Sequence, residues 1–81
     1  SEYDFLVDVV CFGDASVELI VVGYGAGNRA EQFTIGIKGG EIGFSEEIDR
    51  FRVFLKIAGK GHINFYGYRA QPKYSQRNKM A

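Results

Sequence analysis

A period-two alternation of apolar and polar residues, repeated in segment after segment, constrains this chain more than any other feature. In Tyr3–Phe12 the odd positions Tyr3, Phe5, Val7, Val9 and Cys11 form one unbroken apolar row. Successive side chains of an extended strand point to opposite faces, so such a row can be buried on one side of a sheet. Ser16–Tyr24 carries the pattern on through Val17, Leu19 and Val21, and Glu31–Lys38 through Phe33, Ile35 and Ile37. Asp49–Ala58 repeats it with Phe51, Val53, Leu55 and Ile57 inward and Arg50, Arg52, Phe54 and Lys56 outward. With His62–Ala70 and a short segment around Ile42 and Phe44, about six strands are predicted, and no helix-period stretch exceeds a turn. The fold class is therefore all-β: an antiparallel β-sandwich, with a jelly-roll-like arrangement or a small barrel as alternatives.

Turn residues punctuate these segments at Gly13-Asp14-Ala15, Gly25-Ala26-Gly27-Asn28, Gly39-Gly40 and Gly59-Lys60-Gly61. Read as hairpins, they set a register. A three-residue loop places Cys11 opposite Val17, Val9 opposite Leu19 and Val7 opposite Val21, whereas a two-residue loop would set Asp8 against Leu19. Gly39-Gly40 suits a type I′ turn, where both central residues need positive φ, and pairs Ile37 with Ile42 and Ile35 with Phe44. A loop at 59–61 pairs Phe54 with Tyr66, Arg52 with Tyr68 and Lys56 with Asn64. Ser45-Glu46-Glu47 reads as a connection with room for a single helical turn. Gln71-Pro72 ends the sheet because Pro donates nothing to a ladder. Residues 1–72 are expected to form one domain, and 73–81 a basic tail or linker.

Composition sets the outer limits. Eighty-one residues make one small domain, and the 46% of hydrophobic residues are dominated by the β-branched and aromatic types that suit sheets. No apolar run approaches the roughly 18 residues of a membrane span, and no leader pattern opens the chain. The chain opens on Ser1 without a Met and reads as an excised domain or processed piece, which leaves localisation open. Cys11 is the single cysteine, so an internal disulfide is excluded and a place in the apolar row is expected. Net charge is zero, yet residues 1–49 hold all ten acids against two bases, and residues 50–81 hold eight bases and no acid. Such a split speaks to partners rather than to fold.

Catalysis lacks its components. The one His, His62, sits beside a turn and the one Cys in the first strand's apolar row, so no exposed Cys–His pair is expected. Glu46, Glu47 and Asp49 lie in a polar connection as ordinary solvated acids. No catalytic residue, no metal site and no cofactor is expected. The stretch Gly23-Tyr24-Gly25-Ala26-Gly27-Asn28-Arg29 lacks the Gly-Lys-Ser/Thr ending of a phosphate loop and the helix that would follow it. It reads as a loop, with Asn28 and Arg29 at its tip able to contact a polar ligand.

The final hairpin register gathers a more specific surface. Phe54, Tyr66 and Tyr68 would share one outward face, flanked by Arg52, Lys56, His62 and Asn64. Aromatic rings with a rim of donors suit sugar rings or nucleobases, which stack at roughly 1–3 kcal/mol each. The same residue types favour protein interfaces. The even row of the first two strands (Leu6, Val10, Phe12, Ile20, Val22, Tyr24) is also apolar, which predicts a cover from a second layer or another chain.

The segment Phe51-Arg-Val-Phe-Leu-Lys-Ile-Ala-Gly-Lys-Gly-His-Ile-Asn-Phe-Tyr-Gly-Tyr-Arg69 resembles the closing hairpin of β-sandwich accessory modules attached to glycan-handling bacterial enzymes. The resemblance covers about 20 of the 81 residues. It implies a non-catalytic module that binds carbohydrate or helps assemble its parent enzyme, although the chain has no Trp for sugar stacking. Expected partners are an anionic glycan or other polyanion, held by Arg52, Phe54, Lys56, Asn64, Tyr66 and Tyr68. The alternative is oligomerisation, or docking on a parent domain, through the apolar face and the charge split. A second alternative, single-stranded nucleic acid, has the basic and aromatic strands in its favour and the zero net charge against it.

Overall fold

The computed structural model describes residues 1–73. It is all-β and antiparallel, with six strands: β1 (Glu2–Gly13), β2 (Ser16–Gly25), β3 (Ala30–Ile35), β4 (Gly40–Gly43), β5 (Ile48–Ala58) and β6 (Gly61–Pro72). They form two three-stranded sheets, in the orders β4-β1-β6 and β3-β2-β5, and neither closes into a barrel. Of the basic tail or linker expected at 73–81, Lys73 is held to the domain, its N–H donating to the Glu2 carbonyl at 3.0 Å and its ammonium paired with Glu41 at 2.9 Å, and 74–81 lie outside the described residues.

Strand positions agree with the alternation; strand pairing does not follow the hairpin register. Only β2 and β3 are consecutive strands paired with each other. β1 and β2, β3 and β4, β4 and β5, and β5 and β6 each lie in different sheets, so four of the five connections carry the chain from one layer to the other, three of them as arches at glycine turns read as hairpins. The reason lies in the pattern itself. In a hairpin the apolar rows of two strands lie side by side in one sheet; in an arch the same rows face each other across the core. Both place apolar against apolar, so alternation alone does not distinguish them. Phe5, in the β4-β1-β6 sheet, packs edge-on against Phe51 of β5 with ring centroids 6.0 Å apart. Phe51 is in turn the ladder partner of Gly23.

The turn at the third and fourth strands differs in detail as well. Gly39 donates its N–H to the Gly36 carbonyl at 3.0 Å, so Ile37 and Lys38 occupy the turn and Ile37 is exposed rather than inward. Phe44 faces Phe33, with centroids 5.2 Å apart and rings nearly perpendicular, two positions from the expected Ile35 partner. Gly39, at φ +82°, lies against the Phe5 carbonyl, where a side chain would have no room. Residues Ser45–Glu47 connect β4 to β5 without a helical turn.

The core is Phe5, Leu19, Val21, Ile35, Ile42 and Phe44, with Tyr3, Val7, Phe33, Phe51 and Val53 packed around it. It sits at the β3/β4 side of the sandwich. Gly23 is central to it: a Cβ there would overlap the Phe44 ring, so the absence of a side chain lets Phe44 lie across β2. The even-numbered row remains uncovered by the second layer. Leu6, Val10 and Phe12 are exposed on the outer face of their sheet.

Candidate functional site

The aromatic-and-basic platform expected on one hairpin face is divided between the two sheets. Phe54 lies opposite Ile20, Arg52 opposite Val22 and Lys56 opposite Glu18, all on the outer face of the β3-β2-β5 sheet. Tyr68 lies opposite Val7 and Asn64 opposite Val10 in the other sheet. The pairs Phe54–Tyr66, Arg52–Tyr68 and Lys56–Asn64 are therefore absent, because β5 and β6 are the two legs of an arch and not neighbours in a ladder. Asn28 and Arg29 stand apart from both groups, Asn28 as the last residue of the 3-10 turn Ala26–Asn28 that joins β2 to β3 and Arg29 just after it. Arg29 there is paired with Glu46 at 3.2 Å, and Asn28 has a positive φ of 63°.

Three smaller constellations result. On the outer face of β5, Phe54 stands exposed between Arg52 and Lys56, and the Arg50 guanidinium lies 4.5 Å above the centre of the Tyr24 ring. Such a contact holds a cation against an aromatic face at about 0.5–1 kcal/mol in exposed settings. At the β2–β3 end, Glu31 accepts hydrogen bonds from the Ser45 backbone N–H at 2.9 Å and from the Ser45 hydroxyl. These bonds hold its carboxyl below the ordinary glutamate range.

The third constellation surrounds a β-bulge in β6. The β1–β6 ladder shifts register between Asp8 and Val9, whose partners are Gly67 and Phe65, leaving Tyr66 as the extra residue. Bulges re-aim side chains and recur beside binding sites. Gly67, at φ +137°, supplies a conformation that other residues rarely adopt. Around it, Leu6, Val7, Asp8, Tyr66, Gly67, Tyr68 and Arg69 line a cleft of about 380 Å³. Tyr66 is 65% exposed. Tyr68 stacks on Phe5 at 6.1 Å and 20°, which anchors one wall of the cleft to the core. Asp8 and Arg69 bring an acceptor and a donor of opposite charge.

Of the expected site residues, Tyr66 and Tyr68 thus share a cleft, Arg52, Phe54 and Lys56 share a separate sheet face, and the Asn64 Oδ1 accepts a hydrogen bond from His62 Nε2 at 2.7 Å. Leu6, Asp8 and Arg69 were missed. The polar, apolar and basic residues of β1 and β6 meet there only through the pairing of the first strand with the last. Comparison with protein-family models, curated proteins and solved structures finds no match to this chain. No helix among the described residues is long and apolar enough to cross a membrane.

Proposed function

We propose that this domain is a non-catalytic carbohydrate-binding accessory module of a larger enzyme, with its sugar subsite in the cleft at the β6 bulge. The observation that carries the reading is an exposed Tyr66 beside Asp8 and Arg69 in a concave site. A sugar ring offers a flat C–H face to the tyrosine and hydroxyl edges that can donate to a carboxylate and accept from a guanidinium. Arg52 and Lys56 lie on the other sheet, so a strong preference for anionic glycans is no longer part of the reading: among the described residues Arg69 is the one cation lining this cleft, and Asp8 balances it. Titration of isotopically labelled protein with neutral and uronate-containing oligosaccharides tests it. Shifts should concentrate at Leu6–Asp8 and Tyr66–Arg69, and Tyr66→Ala should remove them without unfolding the domain. A silent cleft across both sugar classes would overturn the proposal.

A second reading, self-assembly, is favoured by the exposed row Leu6, Val10 and Phe12 on the outer face of the β4-β1-β6 sheet. Light scattering tests it: a strict monomer at high concentration in low salt rejects self-assembly.

A further inference from the structure

The four edge strands are not equally closed to additional pairing. An edge strand displays unpaired N–H and C=O groups and invites another strand, and proteins blunt such edges by shortness, bulges, proline or inward-pointing charges. β3 has six residues and β4 four. β6 carries the bulge at Tyr66 and ends at Pro72. β5 is the least closed: eleven residues, no proline, and a ladder to β2 that stays in register from Ser16–Ala58 to Tyr24–Arg50. Its one irregularity falls at Asp49 near the start of the strand, and its outward cations deter only a like-charged strand. Among the described residues no strand pairs with its outer side.

The side chains of β5 specify what would pair there. Its inner row is Phe51, Val53, Leu55 and Ile57, with no charge in it; Leu55 and Ile57 are 38% and 60% exposed, because among the described residues nothing continues the sandwich past them. Its outer row is Arg50, Arg52, Phe54 and Lys56. A second copy of β5 laid alongside would set these cations beside their own equivalents, which destabilises a cross-strand pair. A strand with alternating apolar and acidic residues meets both rows: its apolar side chains extend the core over Leu55 and Ile57, and its carboxylates face the cations. β2 already shows this match within the fold, where Glu18 lies opposite Lys56 and Leu19 opposite Leu55.

We infer that the free edge of β5 is a strand-addition site for an extended partner segment that alternates apolar and acidic residues. Main-chain hydrogen bonds supply affinity in such additions and the side-chain rows supply specificity. This surface is separate from the sugar cleft, so each stands or falls alone.

The test uses the full chain, isotopically labelled, and capped ten-residue peptides alternating Val with Glu or Val with Lys. The Glu peptide should shift and protect from exchange the amides of residues 51–57, and bind at least tenfold more tightly than the Lys peptide. Its affinity should fall as salt is raised. Arg52→Glu should narrow the preference between the two peptides and Arg52→Glu with Lys56→Glu should reverse it, since both residues are exposed and their replacement leaves the core intact. Ile57→Lys, an inward charge at an exposed position, should abolish binding of both while the urea midpoint of the domain is retained. Equal binding of both peptides, a response away from β5, or a peptide-free dimer that protects β5 would each overturn the inference, the last by making a second copy the occupant.

Discussion

The two outer arches of this sandwich, β3–β4 and β5–β6, share one sequence pattern and differ in how far it is buried. Ile35, Ile42 and Phe44 on the first are almost fully enclosed, while Leu55, Ile57, Phe65 and Tyr68 on the second all remain substantially exposed. The difference does not come from hydrophobicity, since the β5 and β6 inner rows are as apolar as those of β3 and β4. It comes from closure. Phe44 folds over Gly23 and Phe33 and seals the β3–β4 side, and among the described residues no side chain plays that part beyond β5 and β6. An alternating row therefore states which face a residue takes, and the neighbouring layer decides how much that face is worth.

The comparison is broken most directly at its seal. Phe44→Ala should cost about 3–5 kcal/mol, the range for removing a buried aromatic ring, whereas Ile57→Ala should cost well under about 1 kcal/mol. Urea denaturation of the two variants checks this, and similar losses would show that the two sides are equally closed. Gly23→Val should cost about 1–3 kcal/mol by forcing the Phe44 ring aside. Combined with Phe44→Leu, part of that cost should disappear, a non-additivity that a double-mutant cycle measures. If the two effects simply add, Phe44 does not rest on Gly23.

A smaller effect separates two turns. Gly59 has φ +80° and faces the Asp14 carbonyl, while Gly27 has φ +73° in open space. Alanine at Gly27 should cost about 1 kcal/mol, the penalty of the left-handed conformation alone. Alanine at Gly59 should cost more, because the arch connecting β5 to β6 must also move from β1's turn; thermal melts of both variants check the order. The smallest effect concerns Glu31, whose carboxyl is depressed by the Ser45 hydroxyl and backbone N–H. A lowered acid contributes stability that is present above the ordinary glutamate pKa of about 4.3 and is lost as pH falls through its depressed folded value. Glu31→Gln should flatten that acidic limb of the stability curve and leave neutral pH nearly unchanged, as denaturation at a series of pH values would show.

Much of this was legible in the residues. The rows Phe5-Val7-Val9, Val17-Leu19-Val21 and Val53-Leu55-Ile57 each face inward as alternation requires, and Pro72 closes the last strand. Ile37 is the instructive exception: the expected turn centred on Gly39-Gly40 lies two positions earlier, as Gly36–Gly39, and strands Ile37 in the turn. A glycine pair marks where a turn is permitted, and the bond from Gly39 to Gly36 shows which residues it takes. The candidate site was half legible. Tyr66 and Tyr68 share the cleft, but Arg52 and Lys56 do not, since the register that united them assumed a ladder between β5 and β6.

The sequence by itself determined the number of strands, their approximate ends, the face most side chains take and the separation of acidic from basic halves, because each depends on local geometry and composition. Tyr68, expected outward, is turned onto Phe5 by the bulge at Tyr66. Only the tertiary structure decided which strands pair. Backbone hydrogen bonds carry no side-chain identity, and hairpin and arch bury the same apolar rows. The choice fell to contacts distant in sequence, among them Phe5 against Phe51, Phe44 over Gly23, and β1 held between β4 and β6. That choice is also what placed Asp8 beside Tyr66, and what left β5 with an open edge.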